Sequence, residues 1–182
     1  MRYYTYLDTP IDPLLLVSDG TALTKLYMQT HRHATEVQPE WRRNDALFVD
    51  AISQLRAYFA GEKQSFDLPL KLEGTAFQQR VWQALQEIPY GETCSYKDIA
   101  LRIGAAAAVR AVGLANGRNP ISIIVPCHRV IGTNGTLTGY GGGLPRKRWL
   151  LQHEAAHRRE SHQKDWLAPP ASLASERVGY AT

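Results

Sequence analysis

The chain has 182 residues, 44% hydrophobic and 21% charged, an ordinary globular balance with room for one domain or two small ones. No stretch reaches the ~18 apolar residues of a membrane span, and MRYYTYLDTPIDP lacks the apolar core and cleavage site of a signal peptide. Two cysteines, Cys94 and Cys127, are too few for a disulfide framework, so a reducing cytoplasm is expected. The net charge of +4 is uneven: residues 1–73 carry 8 Lys/Arg and 10 Asp/Glu, residues 74–160 carry 11 and 5. A basic half suits a phosphate-backbone ligand, although a merely solvated basic surface gives the same count.

The first third predicts strands over 14–17 and 22–28 around a Ser18-Asp19-Gly20 hairpin signal. Asn44 is placed to cap a helix running to Ala60, with Phe48, Ile52, Leu55 and Phe59 on one face and Gly61 as the stop. Residues 65–70 predict a short strand. His31 and His33 have no cysteine or carboxylate at ligand spacing, so no metal is expected there.

Near Glu73-Gly74 the pattern turns to capped helices. Thr75 and Gln78 have capping-box spacing before Phe77, Val81, Leu85 and Ile88, and Pro89 ends that helix. Ser95 and Asp98 start a short helix that Gly104 terminates, and residues 105–116 predict another, stopped by Gly117. Two short helices across a tight turn read as a helix-turn-helix, a shape that also occurs as plain packing. Then follow a strand over 121–125, the Cys127 turn, an Asn134-Gly135 turn, a glycine loop over 139–143 and a last helix over 146–157. Residues 159–182 are polar and patternless, which predicts a flexible tail in which Trp166-Leu167 has no assigned place.

The run Ile124-Val125-Pro126-Cys127-His128-Arg129-Val130 carries the chemistry. A thiol becomes a strong nucleophile on losing its proton, and basic neighbours favour the thiolate, which predicts a pKa below the free value of about 8.5. Taken alone, such a cysteine is more often a small buried hydrophobe. The surroundings reverse that balance. PCHRVIG (126–132) stands in line with FQQRVWQALQEIPYGE (77–92), SYKDIA (95–100), VRAVGLANGRNP (109–120), LTGYGGGL (137–144) and KRWLLQHE (147–154). These blocks, in this order, resemble the methylated-DNA–protein-cysteine methyltransferases, the O6-alkylguanine-DNA alkyltransferases, over roughly residues 1–155.

The resemblance implies an α/β (α+β) chain. Residues 1–72 would form a small ribonuclease H-like domain. Residues 73–158 would form a mainly helical, winged-helix-like domain for DNA binding and alkyl transfer. It implies duplex DNA containing O6-alkylguanine as partner, with O4 of thymine a poorer target, and a monomer, with cooperative binding on DNA left open. Cys127 would take the alkyl group once and irreversibly, His128 would deprotonate it through a water, and Glu154 would orient the histidine. Asn119 would tie the turn before the active-site segment. Tyr96 would crowd the target phosphate and bond the flipped base. Arg110 would fill the emptied stack from a helix whose small residues, Ala111 and Gly113 among them, fit a minor groove. Arg102, Arg118 and Arg129 are candidates for the phosphates. Tyr140, Gly141 and Val130 would wall the pocket, where several animal members carry a serine in place of Gly141; a glycine there predicts a roomier pocket. Some members hold zinc through N-terminal cysteines that this chain lacks, so neither metal nor cofactor is expected, and Cys94 reads as structural. Two rivals remain at this stage. A damage sensor without transfer would lack Cys127, and a thiol hydrolase would turn over repeatedly.

Overall fold

The computed structural model describes residues 1–30, 32 and 36–158. His31, His33 and Trp166-Leu167 therefore lie outside the described residues, as does the tail. Four strands open the chain: β1 (Tyr3–Leu7), β2 (Leu14–Ser18), β3 (Leu23–Met28) and β4 (Arg42–Arg43) form one sheet in the order β3-β2-β1-β4. The β1–β2 and β2–β3 pairs are antiparallel, and β4 joins β1 in parallel. β2 and β3 were legible as β-branched and leucine runs, whereas the tyrosine-rich β1 and two-residue β4 gave no comparable signal. The hairpin loop is held by Asp19, whose Oδ1 accepts from the backbone of Thr21 and Ala22, both at 3.0 Å, while Gly20 takes φ +101°.

The first helix begins later than Asn44 suggests. Asn44 makes no side-chain cap; a 3-10 turn, Asp45–Phe48, leads into α1 (Val49–Phe59). Phe48, Ala51, Leu55 and Tyr58 form its buried face, with Ile52 and Phe59 only half-buried. Segment 65–70 is not a strand: Pro69 has no N–H to give, and only Leu70 bridges, to Leu23.

The second half follows its capping signals closely. Thr75 and Gln78 close a capping box on α2 (Ala76–Gln86), and Ser95 and Asp98 close another on α3 (Tyr96–Arg102). Gly104, at φ +67°, turns the chain through a 3-10 turn, Ala106–Ala108, into α4 (Val109–Gly117). The Trp82 indole N–H donates to the Ala115 carbonyl at 2.9 Å, pinning α4 to α2. A parallel two-strand ladder that the sequence does not announce, β5 (Cys94–Ser95) with β6 (Val130–Ile131), locks the start of α3 to the segment leaving Cys127. The last helix, α5 (Leu144–His157), starts earlier than its charged run suggests, with Pro145 tolerated in the first turn.

The predicted strand over 121–125 is instead one bridge, Ile121 to Leu26, followed by a turn. Ile123 sits at φ +73°, a costly place for a β-branched residue, and is fully buried there. The bridge carries the sheet across the two halves, and one hydrophobic core contains Leu16 and Leu55 together with Val81, Val112 and Cys127.

Candidate active site

The strained turn exists because a chain leaving the sheet edge at Ile121 must reverse at once to bring Cys127 beside the end of α4. Asn119 enforces the reversal. Its Oδ1 accepts from the Ile121 N–H at 3.0 Å, and its Nδ2 donates to the Val125 carbonyl at 2.7 Å and to Cys127 Sγ at 3.1 Å. Asn116, at the end of α4, reaches the Cys127 carbonyl at 3.3 Å. Cys127 then opens a 3-10 turn, Cys127–Arg129, and is 3% exposed.

That turn swings His128 onto α5. His128 and Glu154 are both wholly buried, and His128 Nε2 stands 2.8 Å from Glu154 Oε1. An ionised carboxylate only accepts, so Nε2 carries the proton and Nδ1 presents a lone pair. Nδ1 is buried and has no protein partner among the described residues. Glu154 is held from every side. Its Oε1 also takes the Tyr58 hydroxyl at 2.8 Å and Arg129 Nη2 at 2.9 Å; Oε2 takes Arg129 Nε at 2.8 Å and the Gly91 N–H at 3.2 Å. Arg129 spends a further N–H on the Ile88 carbonyl at 2.6 Å and is 6% exposed. Arg129, which the sequence put forward for the DNA phosphates, is instead a buried countercharge to Glu154; a guanidinium fork matches a carboxylate well.

The electrostatics follow from burial. Burial opposes ionisation of Glu154, yet the His128 and Arg129 contacts hold its carboxyl well below the usual range. Burial lowers His128 below its ordinary value despite Glu154, so it is neutral at pH 7 and able to accept a proton. Burial pushes the Cys127 thiol up, against the Asn119 hydrogen bond and the Lys147 charge. The expectation of a thiol poised below its free value is thus corrected: in the resting fold desolvation outweighs the basic neighbours. Lys147 was not anticipated as part of the site. It is fully buried on α5, donates to the carbonyls of Val130 at 2.6 Å and Thr138 at 2.8 Å, and is lowered to about 8, chiefly by desolvation. Cys94, its thiol pushed up to about 12 by burial, is inert at neutral pH.

A cleft of about 490 Å³ opens beside these groups, lined by Tyr96, Tyr140 and Gly141, by Gly113, which the sequence assigned to the DNA instead, and by Arg32, Leu114 and Arg118, which it assigned to no pocket. That volume lies in the range of small-ligand pockets. Burial pushes the hydroxyls of Tyr96 and Tyr140 up, and the Tyr96 hydroxyl donates to the Thr138 and Gly139 carbonyls at 3.1 and 3.4 Å. Val130 does not line the cleft; it is fully buried behind it in β6. Arg110 and Ala111 are exposed on α4 with Leu114, 67% exposed, and Arg118 on the same face. Arg102 is tied to Glu87. Among the described residues, no group of three or more His, Cys, Asp or Glu is placed to hold a metal ion, and no helix is long and apolar enough to cross a membrane.

Residues 76–156 match the family model described as the DNA-binding domain of 6-O-methylguanine DNA methyltransferase, and residues 2–72 match its ribonuclease-like domain. The chain belongs to this family. A methylated-DNA–protein-cysteine methyltransferase of Mycobacterium bovis is 56% identical over 154 residues, covering 85% of this chain and 93% of that one. The enzyme of the same name from Haemophilus influenzae is 51% identical over 155 residues, covering 84% and 86%. Among solved structures, Mycobacterium tuberculosis OGT in complex with DNA is 52% identical, covers 94% of this chain and 97% of that chain, and has a TM-score of 0.80. The family's two-domain architecture, a ribonuclease-like α/β unit and a helical DNA-binding unit, is thus this chain's architecture.

Proposed function

We propose that this chain repairs duplex DNA by direct reversal, moving an alkyl group from O6 of guanine to Cys127 Sγ once per molecule. Family membership makes it a methyltransferase acting on DNA, and the residue roles that follow are part of the proposal. Residues 1–72 act as scaffold and 73–158 as the DNA-binding and transferring unit. α4 enters the minor groove with its small residues inward, and Arg110 takes the place of the rotated nucleotide. Tyr96, Tyr140 and Gly141 receive the base. His128 Nδ1 takes the thiol proton through a water, Glu154 and Arg129 stabilise the imidazolium that forms, and Lys147 and Asn119 stabilise the thiolate. The thiolate attacks the alkyl carbon as the carbon–oxygen bond breaks. The electron pair leaves on guanine, which regains a proton from the site. The resulting thioether has no easy leaving chemistry, so the molecule is spent.

The observation that carries this reading is the buried line of Asn119, Cys127, His128 and Glu154, in which the histidine's one uncommitted nitrogen is a lone pair. The test is to mix the protein with duplex DNA carrying O6-methylguanine labelled on the methyl. Label is expected on Cys127 at no more than one equivalent, with none transferred by Cys127→Ser, which still binds the duplex. Turnover beyond one equivalent, or label on Cys94, overturns it.

A further inference from the structure

The glycine loop over 139–143, of which residues 139–141 line the cleft, is held by α5 and by the ribonuclease-like half. Arg146, in the first turn of α5, donates from Nη1 to the Gly142 carbonyl at 2.8 Å, from Nε to the Ile11 carbonyl at 3.0 Å and from Nη2 to Asp12 Oδ2 at 2.9 Å. Asp12 Oδ2 accepts in turn from the Thr30 hydroxyl at 3.2 Å. The Arg32 N–H donates to the Gly141 carbonyl at 2.8 Å, and the Tyr140 hydroxyl stands 4.0 Å from Met28 Sδ. Contact is close enough to dictate composition: a Cβ on Gly142 would lie 2.7 Å from Met28 Sδ and 2.9 Å from the Tyr140 ring. The loop itself is rich in residues that resist order, with Gly139 at φ +45° and Gly143 at φ +84°. Left alone, such a segment would sample many conformations.

We infer that Arg146 and Asp12 are positioning residues: a clamp between the last helix and the ribonuclease-like domain that sets the depth of the alkyl pocket and hence which alkyl groups it accepts. The inference rests on the proposed function, because it assigns a specificity to that same pocket. Arg146 fixes the Gly142 carbonyl, next to the pocket wall, the Arg32 N–H fixes the Gly141 carbonyl within it, and Asp12 holds the guanidinium that makes the first of these bonds. Loss of Asp12 frees Arg146 to follow water, and the wall retreats. A methyl group then loses its close fit, while a bulkier group gains room. Overall destabilisation would slow both alike.

The experiment measures single-turnover rates of Asp12→Ala, Asp12→Asn and Arg146→Ala on duplexes carrying O6-methylguanine or O6-benzylguanine. Asp12→Ala is expected to slow methyl transfer about tenfold, the scale of one charge-assisted hydrogen bond, and to raise the benzyl-to-methyl rate ratio at least about fivefold. Asp12→Asn, which keeps the shape, should fall between, and Asp12→Ala added to Arg146→Ala should slow methyl transfer no further, since Asp12 reaches the loop through Arg146. Rates that fall equally for both substrates, a ratio that does not move in any variant, or additive effects overturn the clamp. If the unaltered protein transfers neither group, the proposed function fails instead.

Discussion

The two halves of the molecule bury different things. In the ribonuclease-like half the fully enclosed side chains include Leu14, Leu16, Leu26 and Leu55, all apolar, and Tyr58, whose hydroxyl reaches across to Glu154. In the DNA-binding half full enclosure extends to His128, Lys147, Glu154 and Ser122. Apolar burial stabilises without regard to direction and tolerates rearrangement. Buried charge is unfavourable unless each group is met by partners at fixed angles, so it stabilises little while fixing geometry closely. The first half can thus serve as a platform, and the second must be made to one arrangement. The difference also corrects the charge argument. The basic excess of residues 74–160 overstates the field at the surface, because Arg129 and Lys147 are buried and Arg146 and Arg102 are paired. Lys97, Arg110, Arg118 and Arg148 remain among the exposed cations of that half.

The contrast is sharpest at Glu154. Glu154→Gln leaves Arg129 buried without its countercharge and should lower stability by about 3–5 kcal/mol, read by denaturant unfolding. Tyr58→Phe removes a single donor to Glu154 and is the control, expected at about 1 kcal/mol. Per folded molecule, Glu154→Gln should also slow transfer, since a neutral amide cannot hold the imidazolium. A Glu154→Gln protein as stable as the parent would mean that the buried network holds nothing.

Leu16→Ala probes the other half. It should cost about 2–5 kcal/mol through the cavity it leaves, yet leave the transfer rate per folded molecule unchanged. A slowed rate at full occupancy of the fold would show that the platform's core, and not only its clamp, reaches the site.

Proton linkage separates the halves next. Because the folded His128 value lies below that of the unfolded chain, the unfolded state binds a proton first as pH falls through about 6.5, and stability declines there. Glu154 is depressed as well; its contribution is full above about 4.3 and is lost as pH falls toward its folded value. Thermal melting should therefore fall steadily from pH 7 into acid. The acid limb of the transfer rate should lie below about 6.5. Thiolate absorbance of the resting protein should titrate above about 8.5; a titration below that would restore the view of a pre-ionised cysteine. The smallest effect on the fold is expected at Arg110. Arg110→Ala should leave the melting temperature where it is and reduce transfer from paired duplex more than it weakens binding to undamaged DNA, with affinity falling as salt rises. Salt-independent binding would remove α4 from the DNA interface.

Much of this was legible in the chain itself. Capping boxes at Thr75 and Ser95, the stops at Gly61 and Gly104, and the order of the motif blocks depend on neighbours within a few residues, and local chemistry fixes them. They placed the helices and the family, and they singled out the proposed nucleophile. The residues that failed to read correctly share one property: their partners are far away in sequence. Arg129 reads as a surface cation until α5 brings Glu154 against it, 25 residues on. Lys147 sits in an ordinary basic helix start until it is enclosed beneath Thr138 and Val130. Residues 121–125 have every local reason to extend, and only the bridge to Leu26 and the grip of Asn119 force Ile123 into a left-handed turn. The thiol's proton affinity was misjudged for the same reason, since desolvation depends on enclosure and not on neighbours in the chain. Sequence alone determined which groups could react; the tertiary structure decided which charges face water, which face each other and how firmly the cysteine keeps its proton.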